Sequence, residues 1–444
     1  MGEVTLAEIL EAREKRVSRQ KELIKKYSAP LICFTMNIAG PVKVTPLIER
    51  AFSEGLEILK SSLPEDKIIS IKSDIFTTGC EAFLSVDTDA TLIKKICVDI
   101  EEGTPLGRFF DMDVLNLSGK KLERENERGC IICGKKGRGC ASRRAHSVIE
   151  LQEATSSIIY KYFEQKDREK ISVLATESLI NEARTTPKPG LVDGRNSGSH
   201  KDMNIVTFIK SANALAPYFY NCVKLGQETK ELSPDEAFKM LRKEGLSAEK
   251  LMYDATGGIN THKGAIYSLG IICGAVGRLW TSEKPIAETD EILSACAELV
   301  KKSTKEDFEN IDSSTAGGRL YLKYGLRGIR GEVADGFASV AKFSLPVYEK
   351  ALGNGFSPND AGVISLLNLI ANVDDTNLYK RGGMKGIEYA KNSARDLLSK
   401  PDSPSRNEIE ALDDDFIKKN LSPGGCADLL AVTYFLNKIK SGVL

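Results

Sequence analysis

The sequence has no surplus of either charge: 62 Lys and Arg stand against 62 Asp and Glu, for a formal net charge of zero. Broad electrostatic capture of nucleic acid or of an anionic membrane is therefore not the default, and any charge effect must be local. No apolar run approaches the ~18 residues of a membrane span. The N-terminus, Thr5-Leu-Ala-Glu8 followed by alternating charge, lacks the apolar stretch of a signal peptide. A cytoplasmic protein with neither nucleic-acid nor membrane partners is expected. Histidine is scarce as well, with His146, His200 and His262 the three among 444 residues. Each sits in a segment rich in Gly, Cys, Asp or Lys, which disfavours a purely core role. Hydrophobic residues make up 41% and charged residues 28% of the chain, which excludes a disordered or fibrous polymer. At roughly 100–200 residues per domain, the length predicts two or three domains.

Two regions differ in pattern. The first opens on a helix with capping-box spacing at Thr5 and Glu8, and Leu6, Ile9, Leu10, Val17, Leu23, Ile24 and Tyr27 fall largely on one face. Strand-like runs follow at Pro30–Met36, Ile68–Phe76, Ala82–Val86 and Arg108–Leu115, with helical patterns through Leu47–Leu59 and Ala90–Ile100. This mixture predicts an α/β (α+β) layer over residues 1–165. From about Ser147 nearly every periodic segment has helical spacing, separated by loops rich in Gly and Asp. The reading for 170–444 is an all-α domain with its chemistry in loops. The polar stretch Phe163–Lys170 is the linker expected between them.

Three constellations mark the first domain. Asp111-Met-Asp113 ends a strand, so both carboxylates share a face about 7 Å apart, an arrangement suited to Mg²⁺ with substrate phosphates. The bland alternative is two solvated acids on an edge strand. The turn Asn37-Ile-Ala-Gly40-Pro41-Val-Lys43 offers backbone N–H groups and an ammonium to phosphate, or is an ordinary strand-to-helix turn. Cys130-x₂-Cys133-x₆-Cys140-x₅-His146 presents the ligand types of a Cys₃His zinc site. The competing reading is three reduced thiols, with His146 in catalysis or anion binding. Lys135, Lys136, Arg138, Arg143 and Arg144 interleave the cluster, favouring thiolate and forming a local anion site.

Four polar loops mark the second. They run through Lys188, Gly190, Asp193, His200 and Asp202; through Gly257, Gly258, Asn260, His262 and Lys263; through Asp374 and Asp375; and through Gly424 and Gly425. Gly-Gly pairs before helices are places where amides and the helix dipole receive phosphate. A single such start is usually only a cap. Four of them, with several acids, favour a site for divalent metal and polyphosphate.

Met36-Asn-Ile-Ala-Gly-Pro-Val-Lys43, Phe110-Asp-Met-Asp-Val114 and the Cys130…His146 cluster resemble apo-citrate lyase phosphoribosyl-dephospho-CoA transferase. Thr186-Pro-Lys-Pro-Gly-Leu-Val-Asp193, Gly198-Ser-His-x-Asp-Met203, Ala255–Gly264 and Pro423-Gly-Gly-Cys-Ala-Asp-Leu429 resemble triphosphoribosyl-dephospho-CoA synthase, with Cys426 where that family carries serine or alanine. The resemblance implies a fusion of two consecutive enzymes. The second domain would join the ribosyl carbon of ATP to dephospho-CoA and expel adenine. The first, a nucleotidyltransferase-like domain, would pass phosphoribosyl-dephospho-CoA to a serine of the apo acyl-carrier subunit of citrate lyase and release pyrophosphate. It further implies magnesium at Asp111 and Asp113, phosphate at Lys188, His262 and Lys263, and metal or base roles for Asp193, Asp202 and Asp374. The carrier of malonate decarboxylase is an alternative partner. A zinc-knuckle nucleic-acid-binding protein with a helical nucleotide hydrolase domain is a reading of another class; few aromatics interleave the basic segment, which disfavours it.

Overall fold

The computed structural model describes residues 2–124, 128–135, 140, 143–311, 316–400 and 404–442. The chain divides into two compact units, Met1–Lys166 and Asp167–Leu444.

The first unit is built on a four-stranded sheet of order β2-β3-β1-β4, formed by β1 (Leu31–Met36), β2 (Ile68–Phe76), β3 (Gly79–Val86) and β4 (Phe110–Leu115). All neighbours pair antiparallel. Helices α1 (Leu6–Tyr27), α2 (Pro46–Ser62) and α3 (Ala90–Gly103) accompany it. The expected capping box is present: the Glu8 carboxylate accepts from Thr5 N–H at 2.7 Å, and Glu8 N–H donates to Thr5 Oγ1 at 3.3 Å. The apolar face expected for α1 is buried only in its last turns, where Leu23 and Ile24 pack on Leu31, Cys33 and Phe83. Leu6, Leu10 and Val17 remain exposed. On the opposite sheet face Phe34 stacks on Phe52 of α2 at 4.9 Å between ring centroids. Arg108 and Phe109, expected in a strand, instead form a 3₁₀ turn that feeds β4.

The polar stretch expected as a linker is not a loop. It lies inside α4 (Val148–Arg184), a helix of 37 residues within which the division between units falls. Several of its polar residues have partners within the fold. Lys166 pairs with Glu54, and the Arg50 guanidinium lies 3.9 Å from the Phe163 ring centroid. Within the second unit, Asp167 accepts from the indole N–H of Trp280, the one tryptophan, at 2.7 Å; a fully buried indole needs such an acceptor.

The second unit is helical among the described residues. Its elements are α5 (Ile205–Ala214), α6 (Ala216–Glu228), α7 (Pro234–Thr256), α8 (Lys263–Leu279), α9 (Thr289–Glu309), α10 (Ala316–Tyr324), α11 (Gly328–Ala334), α12 (Leu345–Gly353), α13 (Pro358–Asn372), α14 (Thr376–Leu398), α15 (Arg406–Lys418) and α16 (Gly424–Lys440). Helix α8 is the core element, buried on nearly every side. Its crossing with α6 requires glycine: a Cβ on Gly226 would overlap Gly274 O, and one on Gly277 would overlap Val223 O. Each such glycine costs roughly 1 kcal/mol of helix propensity, which the close backbone approach offsets by burying more of both helices. No described helix is long and apolar enough to cross a membrane.

Candidate active sites

In the first unit a cavity of about 1310 Å³ opens beside β4. Alternation along this strand buries Met112 and Val114 and turns Asp111 and Asp113 outward together, opposite Thr35 and Cys33. Being an edge strand, β4 needs partners for its outer backbone groups, and side chains supply them. Met112 N–H donates to the buried Glu101 carboxylate at 2.7 Å, Lys94 Nζ donates to Met112 O at 3.1 Å, and Arg128 donates to Phe110 O. Arg128 also pairs with Glu101. Basic residues on the cavity wall are Lys94, Arg108, Lys121, Arg124, Arg128 and Arg144; the acids are Glu101, Asp111, Asp113 and Glu123. Lys121 Nζ sits 2.6 Å from Asp113 Oδ1. Burial first, and the Asp113 charge second, hold the Asp111 carboxyl above its usual range. Such a pair gains from a shared cation, so the residues fit a divalent metal.

Asn37 and Ala39 line this cavity, whereas Gly40 and Lys43 do not. A Cβ on Gly40 would press on Gln152 and Val148 of α4, and Lys43 Nζ donates to Ile38 O at 2.6 Å. Gly40 and Lys43 are thus taken up by protein contacts, while Asn37 and Ala39 of the same turn face the cavity.

The candidate ligand atoms of Cys130, Cys133, Cys140 and His146 all lie within 4.8 Å of one another. A tight turn produces this: Gly134 N–H donates to Cys130 O at 3.0 Å, and Ile132 N–H points to Cys130 Sγ at 3.5 Å. The Cys133 thiol is pulled down to about 6 by hydrogen bonds, that with His146 first. His146 Nε2 is buried without a partner. Four convergent soft donors with an orphaned nitrogen fit tetrahedral zinc. Cys130, Cys140 and His146 are also part of the cavity wall. Of the basic residues in this segment, Arg144 lines the cavity, Lys135 and Arg143 are exposed, and Lys136 and Arg138 lie outside the described residues.

In the second unit a cavity of about 420 Å³ is lined by Glu182, Lys188, His200, Asn260, His262, Lys263, Lys380, Arg381, Gly424, Gly425 and Asp428, among others. Three helices start at its wall: α8 at Lys263, α14 at Thr376 and α16 at Gly424. Neither α8 nor α16 has a side-chain cap, whereas Asp375 caps α14. Cys426 N–H of α16 instead donates to Asp375 and Ala265 N–H of α8 to Asp428, which leaves an anion the amides of the first two residues of each helix. His262 is buried; its Nδ1 meets Ser211 Oγ at 2.8 Å, while Nε2 has no partner. Burial, and then the Lys188 charge, push this imidazole down to about 3, so it is neutral. Lys188 is itself buried against Glu182, whose carboxyl burial pushes up. Arg381 reaches Ser199 O at 2.8 Å and His200 Nδ1 at 3.2 Å.

Several expected residues stand elsewhere. Asp193 is buried as the pivot of its loop, accepting from Thr186 Oγ1 and Lys188 N–H at 2.9 Å and from the N–H groups of Arg195 and Asn196; its oxygens are saturated. Gly190 N–H donates to Asp413 at 2.8 Å, and a Cβ there would overlap Leu421 O. Gly257 and Gly258, with φ of +69° and +90°, end α7 in an exposed turn. Asp202 and Asp374 are exposed, Asp374 pairing with Lys391, and neither lines the cavity. The acid that does organise the third loop is Asp375, which accepts from Asn377 N–H at 2.6 Å and Cys426 N–H at 2.9 Å and so ties α14 to α16. Sequence reasoning placed Arg381 and Asp428 in the third and fourth loops without giving them a role, and passed over Glu182 and Asp413. Asp428 had a signal, closing the Gly-Gly-Cys-Ala-Asp run; Glu182 had none, being one more acid in a long helix.

The sheet unit and the helical unit each carry a polar, charge-lined cavity of their own, the layout of a two-enzyme chain. The description that matches residues 168–443 is CitG, ATP:dephospho-CoA triphosphoribosyl transferase, and that matching residues 4–162 is CitX, apo-citrate lyase phosphoribosyl-dephospho-CoA transferase. Protein CitXG of Haemophilus influenzae is 36% identical over 98% of this chain and 96% of its own length. Protein CitXG of Leuconostoc mesenteroides subsp. cremoris is 31% identical over 98% and 97%. The 2-(5''-triphosphoribosyl)-3'-dephosphocoenzyme-A synthase of Escherichia fergusonii is 41% identical over 61% of this chain and 91% of its own. The chain belongs to the bifunctional CitX–CitG transferases, with the CitX unit first and the CitG unit second.

Proposed function

We propose that the helical cavity is where ATP and dephospho-CoA meet, the ribosyl carbon of ATP passing to a hydroxyl of dephospho-CoA with release of adenine. The observation that carries this is the convergence of three helix starts on one cavity whose wall also holds His200, His262, Lys263, Lys380 and Arg381. Amide dipoles and cations together suit a triphosphate, and among the described residues two acids, Glu182 and Asp428, share the wall. Glycine at 424 and 425 keeps the start of α16 open, since a Cβ would press on Asn377 or Asp375.

In the sheet unit the reading is nucleotidyltransferase-like transfer. A serine of the apo acyl-carrier subunit attacks the phosphorus nearest the ribose, the bond to the outer phosphates breaks, and pyrophosphate leaves. Lys121, Arg108, Arg124, Arg128 and Arg144 face the space where those phosphates lie. Asp111 and Asp113 would hold magnesium, which would neutralise charge on the leaving group. Cys130, Cys133, Cys140 and His146 would hold zinc, which would brace the wall that carries Arg128 and Arg144. The ten free cysteines suit a reducing cytoplasm.

The test is mass spectrometry of purified apo carrier after incubation with the full chain, ATP, dephospho-CoA and magnesium, with zinc content measured on the same preparation. A mass increase equal to phosphoribosyl-dephospho-CoA supports the reading. An unmodified carrier with free adenine accumulating removes the sheet-unit assignment, and no adenine at all removes the helical one.

A further inference from the structure

The helical cavity holds two carboxyl groups, and the fold treats them differently. Glu182 is taken up by the Lys188 ammonium. Asp428 has no cation in ion-pairing range among the described residues; a backbone N–H of Ala265, at the head of α8, donates to it, and Glu182 and Asp375 bring like charge near it. The carboxyl fits between α8 and α16 only because residue 264 is glycine, since a Cβ there would collide with Asp428 Oδ2. On the same wall Ser211 Oγ accepts from Thr261 Oγ1 and lies 2.8 Å from His262 Nδ1, while His262 Nε2 has no protein partner. The cavity thus offers a ligand one neutral imidazole and one carboxyl group without a counter-ion.

We propose that Asp428 is the proton donor to the departing adenine, a catalytic role that rests on reading this cavity as the site where ATP gives up its ribosyl carbon. Adenine leaves badly as an anion and well once a ring nitrogen is protonated. In the step, the bond from the ribosyl carbon to adenine breaks and its electron pair goes to the base. Asp428 gives its proton to a ring nitrogen of that base. The acceptor hydroxyl oxygen bonds to the ribosyl carbon, and the proton it sheds returns through water to the Asp428 carboxylate. Burial, with like charge from Glu182 and Asp375, keeps Asp428 protonated well above the usual carboxylate range, as a donor at neutral pH must be.

The experiment uses the full chain with two nucleotides, ATP and 7-methyl-ATP. The base of the second is already cationic and departs without a proton. For Asp428→Asn, ATP binding stays within about threefold of wild type and adenine release from ATP falls about 100-fold or more. Release of 7-methyladenine by the same variant falls less than about threefold. Gly264→Ala, which drives a methyl group into the carboxyl, gives the same pattern and guards against an effect peculiar to asparagine. Equal losses with both nucleotides, or an undiminished rate with ATP, overturn the role of Asp428. If Arg381→Ala and His262→Ala both leave ATP binding and adenine release unchanged, the cavity reading itself falls and takes the proposal with it.

Discussion

The two units offer phosphate two kinds of surface. In the sheet unit the wall is side-chain charge: Asp111 and Asp113 stand off an edge strand, faced by Lys121 and four arginines, Arg108, Arg124, Arg128 and Arg144. In the helical unit the starts of α8 at Lys263 and α16 at Gly424 share the wall with Lys380 and Arg381, while Asp375 caps the start of α14. The contrast is chemical as well as architectural. Carboxylates that share a face invite a metal, which suits displacement at phosphorus. In the reading proposed above, helix starts would bind the triphosphate without a dense set of acids, leaving the Asp428 carboxyl and a neutral imidazole for work at carbon.

That contrast can be broken or sharpened experimentally. The largest effect is expected from Lys188→Met, which strands Glu182 in the helical core. Removing one partner of a buried pair costs about 3–5 kcal/mol. The urea midpoint followed by fluorescence of Trp280, the single tryptophan, reports on the helical unit and should drop accordingly. A variant as stable as wild type would mean that Glu182 is neutral without its lysine.

Asp113→Ala comes next. Carrier labelling should fall by roughly 10²–10³-fold while adenine release from ATP and dephospho-CoA is untouched. Loss of both activities would end the picture of two separate sites.

Acid stability separates the units more gently. The folded-state value of His262 lies near 3 against an ordinary 6.5, so the unfolded chain takes up this proton first as pH falls. The stability linked to it is complete above about 6.5 and is lost at roughly 1.4 kcal/mol per pH unit on the way down. His262→Gln should flatten the fall in Trp280-monitored stability between pH 6.5 and pH 4. Glu182, Asp375 and Asp428, raised by burial, act oppositely in both proteins and cancel from the difference. An unchanged slope would show His262 charged in the fold.

The smallest effect belongs to Asp374→Asn. Because this side chain is exposed and faces Lys391, adenine release should stay within about twofold. A loss beyond tenfold would return Asp374 to the site and call for a different cavity geometry.

Legibility differed between the units for a physical reason. In the sheet unit function follows local spacing: alternation of period two puts Asp111 and Asp113 side by side, and a tight turn gathers Cys130 and Cys133, so short sequence distance stands for short spatial distance. In the helical unit the cavity is assembled from residues as distant as Glu182, His262, Arg381 and Asp428. Asp374 and Asp375 are neighbours with opposite fates, one on the surface and one buried between two helix starts. Nothing in their order says which way the chain turns.

By itself the amino-acid order determined the helical second half, the strands of the first, the family, the carboxylate pair and the thiol cluster, since all of these are written in local periodicity or in contiguous motifs. Which acids reach a ligand, that the expected linker is helix, and that Gly264 makes room for Asp428 were decided only when distant segments packed, because burial and like-charge neighbours are properties of space and not of order along the chain.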